Sequence, residues 1–189
     1  MSSHHIVKEK QEPALYIHEL GNFNEEYLGQ LLEWSPTLIV LANEYEKVVS
    51  LGLKVDIIVG NLEAGVELQE NIRIIPQQKN GIEDAMEFLL KEKYPAVNVI
   101  SKISSFDDLT CYLPDINLVL FTEQSKHYAI KSGFSVWKPA GMIFLIDIIA
   151  YFEADNLMQQ EEEGKFLVVE DGLVSFRFQA PYLFIGEPF

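Results

Sequence analysis

The chain has 189 residues, 48% of them hydrophobic, and a formal net charge of −15. That apolar fraction excludes wholesale disorder and suffices for one core-bearing domain, or one domain with a small appendage. The acidity, with no Lys/Arg stripe anywhere, excludes a phosphate-backbone binder, so no nucleic-acid partner is expected.

The opening MSSHHIVKEKQEP lacks the apolar run of a signal peptide, and His4 and His5 read as part of an unliganded arm. FNEEYLGQLLEW (23–34) sets Phe23, Tyr27, Leu28, Leu31, Leu32 and Trp34 on one helical face, with Asn22 as its cap and Pro36 as its stop. TLIVLA (37–42) then reads as a buried strand, and NEYEKVVSLG (43–52) as a short helix ended by Gly52. VDIIVG (55–60) and IRIIP (72–76) are strands; Asp56, inside the first, reads as a satisfied strand-start polar group. IEDAMEFLLKEK (82–93) carries the helical stripe Ala85, Met86, Phe88 and Leu89, with Lys91 and Lys93 at its negative end. AVNVIS (96–101) is a strand, DDLTCYL (107–113) a helix and INLVLFT (116–122) a strand.

Apolar strands alternating with short helices predict a parallel α/β layer up to about residue 122, with a ligand cleft at strand ends near Leu41, Gly60 and Ser101. After residue 125 the rhythm changes. HYAI, FSVW, the run 142–152, KFLVVE, LVSFRF and PYLFIG read as consecutive strands, and NLMQQEEEGK (156–165) as a polar connection. This predicts a mainly antiparallel β part and a division of the chain into 1–125 and 126–189. The aromatic residues of that part (Phe134, Trp137, Tyr151, Phe166, Phe176, Phe178, Tyr182, Phe184) exceed what one sheet face needs, which predicts a homodimer. Cys111 is the only cysteine, so a reducing, cytoplasmic location is expected, with Cys111 as a small buried hydrophobe. The apolar run MIFLIDIIAYF is too short to span a bilayer, so no membrane association is expected.

The order of parts, together with GLKVDIIVG, KEKYPAVNVIS, WKPAG (137–141) and VEDGLVSF (169–176), resembles the thiamine pyrophosphokinase family. SSHHIVKEKQEPAL and QLLEWSPTLIVL are similar to the start of a branch found in Bacteroidetes-type bacteria. The resemblance implies a Rossmann-like nucleotide-binding layer followed by a β-sandwich. It implies Mg²⁺-dependent transfer of diphosphate from ATP to thiamine, giving thiamine diphosphate and AMP, usually by a homodimer. Its motif positions fall on altered residues. The family's aspartate-glycine-glycine turn reads Ala42, Asn43, Glu44, and its glycine-aspartate-phenylalanine-aspartate loop reads Gly60, Asn61, Leu62, Glu63. Its lysine-threonine-aspartate stretch reads Lys79, Asn80, Gly81; its glycine-arginine and aspartate-histidine signature reads Ser104, Ser105, Phe106, then Asp108, Leu109 and Thr110.

By that resemblance Asp108 and Lys79 are the catalytic candidates, and Asn43, Gly60, Asn61 and Thr110 hold the nucleotide. Glu63 and Asp108 are the Mg²⁺ candidates. Each has a plainer reading. Asp108 suits a first-turn acid, Lys79 a solvated loop charge, and Glu63 a solvent-facing acid beside Gly65. Trp137 suits a buried aromatic as well as a ring stacked on thiamine, while His18 and His127 lack metal-site spacing and read as structural. Asn61 supplies no charge to Mg²⁺, and Ser105 or Phe106 in place of arginine removes a bidentate phosphate donor. Two functions follow: an active diphosphokinase, or an inactive descendant that binds a ligand or serves as a dimeric interaction module.

Overall fold

The computed structural model describes residues 12–147 and 151–189. The chain divides into two compact units, the first ending at Glu123 and the second running from Gln124 to Phe189. The His4–His5 arm lies outside the described residues.

The first unit is a parallel sheet of β1 (Ala14–Ile17), β2 (Leu38–Leu41), β3 (Ile57–Val59), β4 (Arg73–Ile75), β5 (Ala96–Ile100) and β6 (Asn117–Phe121). Their spatial order is β6-β5-β1-β2-β3-β4, every pairing parallel. The chain builds outward from β1 to β4, then returns to lay β5 on the other side of β1. The strand order therefore reverses between β1 and β5. All four residues of β1 are fully buried, as a central strand covered on both faces requires. One face packs Leu15, Ile17, Leu38, Val40, Ile58 and Ile100 against Phe23, Leu28, Tyr45 and Val48. The helices are α1 (Glu25–Leu32), α2 (Tyr45–Ser50) and α3 (Gly81–Lys91). The stripe Ala85, Met86, Phe88 and Leu89 of α3 is buried, as its periodicity predicts.

Asp56 carries out the structural task expected of it. Its carboxylate accepts the Leu38 N–H at 2.9 Å, and its own N–H donates to the Leu38 carbonyl at 3.0 Å.

Several boundaries differ from expectation for local reasons. The cap of α1 is Asn24, not Asn22, because its side chain accepts the N–H groups of Glu26 and Tyr27 at 2.8 and 3.2 Å. The helix stops at Leu32, so Trp34 misses the buried face and is 71% exposed. Residues 107–113 form turns and a single 3-10 turn over Thr110–Tyr112 rather than a helix. A segment that short, ending at Pro114, cannot offset the cost of helix nucleation. Cys111 is consequently exposed, not buried.

The second unit is antiparallel throughout. Strands β7 (Ser125–Ile130), β9 (Ile143–Ile146), β11 (Leu157–Gln159), β12 (Lys165–Val168) and β14 (Leu183–Pro188) lie in the order β11-β12-β9-β14-β7. Strands β8 (Ser135–Lys138), β10 (Phe152–Asp155) and β13 (Gly172–Phe178) form a second sheet, β10-β13-β8. The stretch expected as a polar connection holds β11. Asn156, with a left-handed φ of 64°, opens it and exchanges side-chain hydrogen bonds with both backbone groups of Glu170. The run 142–152 is not one strand: Ile143–Ile146 belongs to one sheet, Phe152 opens a strand of the other, and 148–150 lie outside the described residues.

Both sheets contribute to one core, including Phe144, Phe166, Val174, Phe176, Phe178 and Ile185. Most of the aromatics expected to form an uncovered patch are therefore used within the unit, while Trp137 and Tyr151 are exposed. Trp137 is thus not the buried aromatic of the plainer sequence reading. Gly186 is required by its neighbours, since a Cβ there would lie 2.5–2.6 Å from the His127 ring. Among the described residues no helix is long and apolar enough to cross a membrane.

Glu187 ties the two sheets together. Buried to 4% exposure, it accepts the Tyr128 hydroxyl at 2.5 Å and the Lys138 ammonium at 2.6 Å, with Lys126 at 3.4 Å. Burial alone would push this carboxyl up; the hydrogen bonds from Lys138 and Tyr128 outweigh it and hold it below the ordinary glutamate range. Its contribution is therefore present above that range and lost as pH falls through the lowered value. Glu187→Ala leaves Lys138 half-enclosed without a counter-charge and should destabilise the protein by about 3–5 kcal/mol. Chemical denaturation monitored by circular dichroism measures this.

Candidate functional site at the carboxyl ends of the parallel strands

The loops that follow β1, β2, β3, β4 and β5 converge at one edge of the sheet, where the strand order reverses beside β1. In open α/β sheets such a reversal is where ligands characteristically bind. After β1, the N–H groups of His18 and Glu19 both donate to the Ile100 carbonyl of β5, at 2.9 and 3.2 Å. After β2 comes a 3-10 turn over Ala42–Glu44, whose Glu44 carboxylate accepts the Leu20 N–H at 3.1 Å. After β3, Gly60 turns with φ 109°, and its N–H bonds the Ile75 carbonyl at 2.9 Å. A Cβ at Gly60 would sit 3.2 Å from the Ala42 Cβ, so the β3 loop rests directly on the β2 turn.

The loop between β4 and α3 is held by Asp84. This carboxylate is 6% exposed and accepts the N–H of Gln78 at 3.1 Å and of Lys79 at 3.1–3.2 Å. Asn80 caps α3 by accepting the Glu83 N–H at 2.8 Å, and Glu83 accepts from the Asn80 side chain at 2.7 Å. The first residue of α3, Gly81, packs against Leu41 and the Tyr16 hydroxyl, and the Gly81 carbonyl accepts that hydroxyl at 2.9 Å. The Tyr16 phenol is held well above its ordinary pKa, first by burial and then by the Asp84 charge.

The charges of this edge are largely satisfied among themselves. Lys79 pairs with Glu87 at 2.5 Å and Glu83 at 3.7 Å, and the Glu87 hydrogen bond holds its ammonium above the ordinary lysine range. Lys102, in the β5 loop, pairs with Glu19 at 2.5 Å. Lys47 donates to the Gly21 carbonyl.

Of the residues singled out from sequence, Gly60 is brought against the Ala42 turn that carries Asn43, with Gln77 of the next loop 3.8 Å from the position of a Gly60 Cβ. Lys79 lies within electrostatic reach of Tyr112, two residues beyond Thr110. Asn43, Asn61, Glu63 and Asp108 are exposed. Thr110 donates its hydroxyl to the Phe106 carbonyl at 2.8 Å, one turn back. The first-turn capping of residues 105–109 falls to Ser105, which accepts the Asp107 N–H at 3.1 Å, and not to Asp108. Phe106 is a core side chain, 5% exposed. Sequence reasoning missed Tyr16, His18, Glu44 and Asp84. The signals were polar residues at strand ends and one acid inside the apolar stripe of α3.

Over more than nine-tenths of its length the chain shares its fold with thiamine pyrophosphokinases. The enzyme from Bacillus subtilis superposes with a TM-score of 0.68 at 10% identity, over 94% of this chain and 99% of that one. The Geobacillus thermodenitrificans enzyme gives 0.64 at 13% identity, over 93% and 97%, and the Candida albicans enzyme 0.61 at 11%, over 94% and 89%. No protein-family model matches the sequence, and neither does any curated protein. Fold is what identities this low carry.

The fold family implies ATP and Mg²⁺. Magnesium takes one or two carboxylates together with phosphate and water. Glu63 and Asp108 are exposed carboxylates, Asn61 is neutral, and among the described residues no group of three His, Cys, Asp or Glu forms a ready-made metal site. No step is routed through either group. Asp84→Ala should release the Gln78 and Lys79 amides and cost about 1–3 kcal/mol of stability, the penalty for orphaning buried donors. Accelerated hydrogen exchange at those two amides, with the rest of α3 unchanged, is the expected readout.

Proposed function

We propose that this protein uses the thiamine pyrophosphokinase fold as a ligand-binding module and no longer transfers diphosphate from ATP to thiamine. The observation that carries this reading is the state of Lys79. Its ammonium is bound by Glu87 and Glu83, and its loop is fastened from beneath by Asp84. A triphosphate carries several negative charges and would have to displace two carboxylates to reach that cation. Phosphoryl-type transfer depends on positioning and on neutralising charge, so the loss of these groups removes its main sources of acceleration. The resemblance puts the family's arginine at Ser105 or Phe106; the first is a neutral, exposed hydroxyl and the second a buried apolar ring, and either supports the same reading.

The reading includes a Rossmann-like layer to residue 125, in which the reversal between β1 and β5 marks the crevice, and a β-sandwich from residue 126. It also includes a homodimer. Trp137 and Leu173 are directly opposed on β8 and β13, and both are more than half exposed, which leaves an apolar pair for a second copy. The free, exposed Cys111 is consistent with a reducing, cytoplasmic setting.

The competing reading is the family reaction itself, with Asp108 and Lys79 catalytic, Glu63 and Asp108 on Mg²⁺, and Asn43, Gly60, Asn61 and Thr110 at the nucleotide. Coverage of nearly the full length of the thiamine pyrophosphokinases favours it. AMP release by purified protein with ATP, Mg²⁺ and saturating thiamine separates the two. The proposal expects none above the protein-free control. Turnover near about 1 per second, abolished by Asp108→Ala, would establish the diphosphokinase instead.

A further inference from the structure

His18 follows the central strand directly, at the point where the strand order reverses, and its backbone is fixed by the Ile100 carbonyl of β5. Its Nδ1 lies 3.1 Å from the Tyr16 hydroxyl oxygen. That hydroxyl has one proton, and the Gly81 carbonyl, which can only accept, takes it at 2.9 Å. The bond to His18 must therefore run the other way, from Nδ1–H to the Tyr16 oxygen. This fixes the ring in the Nδ1–H tautomer and leaves a lone pair on Nε2. Among the described residues no hydrogen bond reaches Nε2, and none of their buried side-chain nitrogens or oxygens lacks a partner. Nε2 is consequently not sealed from solvent.

The contact is not needed to satisfy Tyr16, whose hydroxyl proton is already taken by Gly81. A purely structural role would be met by an apolar side chain. The groups facing the ring are Tyr16 on β1, Glu19 in its own loop and Glu44 on the β2 turn, with Asp84 of α3 acting on Tyr16. Burial holds the imidazolium form down against the opposing pull of Glu19 and Glu44, so the ring is neutral at neutral pH. Both carboxylates have partners, Lys102 and the Leu20 N–H, but they still disfavour an approaching anion.

We infer that His18 is a ligand-binding residue, whose Nε2 accepts a hydrogen bond from the hydroxyl or amino group of an uncharged or cationic small molecule in the crevice beside β1. This rests on the reading of that crevice as a ligand site, and it adds the contact atom and the class of ligand.

The test uses the full chain labelled with ¹⁵N-histidine, and thiamine as the probe, since it is cationic and carries both a hydroxyl and an amino group. Ring ¹⁵N spectra of His18 should show the Nδ1–H tautomer, which the free histidine side chain disfavours, and a pKa below the ordinary 6.5. Millimolar thiamine should shift the Nε2 resonance. His18→Asn keeps a donor near Tyr16 but deletes the Nε2 acceptor, and should weaken thiamine binding in calorimetry roughly five- to tenfold, the worth of one hydrogen bond to an uncharged acceptor. His18→Gln, which returns an amide near the Nε2 position, should recover part of that loss. Equal melting temperatures for the three proteins show that folding is intact.

An Nε2–H tautomer or a protonated ring at neutral pH overturns the inference. So does thiamine binding that leaves Nε2 unmoved and is unaffected by His18→Asn, which would spare the ligand-site reading. Absence of any thiamine binding to the native chain overturns both.

Discussion

A single buried carboxylate sets the geometry on which the site depends. Asp84 sits one turn into α3, accepts two backbone N–H groups from the preceding loop, and lies close enough to Tyr16 to raise its phenol. Tyr16 in turn donates to the Gly81 carbonyl at the start of the helix. The helix, its loop and the central strand are thus joined through groups that water cannot easily reach. Gly81 is needed because Leu41 and Tyr16 leave no room for a side chain. Movement of any of these parts would strand a buried polar group, so the chain is held firmly where the loop meets α3.

The same economy governs charge. Lys79 and Lys102 of this edge are paired with glutamates of the same edge, and the net charge of the chain is −15. Individually these exposed pairs contribute little to stability. Their consequence is for recognition: a phosphate group approaching Lys79 meets Glu83 and Glu87 as well. A neutral imidazole at the end of β1, with its proton committed to Tyr16, suits a hydrogen-bond donor better than an anion. The fold that thiamine pyrophosphokinases use is retained.

The strand and helix pattern was legible because it rests on local physics. The β-branched run at 57–59 and the α3 stripe at 85–89 each state their own periodicity. The failures came where tertiary partners decide. Nothing in NLMQQ announces a strand until Asn156 is seen bonded to Glu170 across the hairpin. Nothing in DDLTCYL shows that its helical tendency is too short to persist. At the site, sequence identified the loops but not their occupants. That Phe106 belongs to the core was not readable from its neighbours. His18 was read as structural because its spacing suits no metal; only the direction of the Tyr16 hydrogen bond, fixed by Gly81, distinguishes its two nitrogens.

The central claim is that the Lys79 ammonium is committed to Glu83 and Glu87 and is not offered to phosphate. Calorimetric titration of the native chain with ATP, in the presence and absence of Mg²⁺, addresses it without assuming any reaction. The account predicts no saturable heat up to millimolar ATP in either condition, and a gain of ATP binding when Glu83→Gln and Glu87→Gln together release Lys79. Saturable, Mg²⁺-dependent binding of ATP by the native chain at micromolar concentration would contradict it.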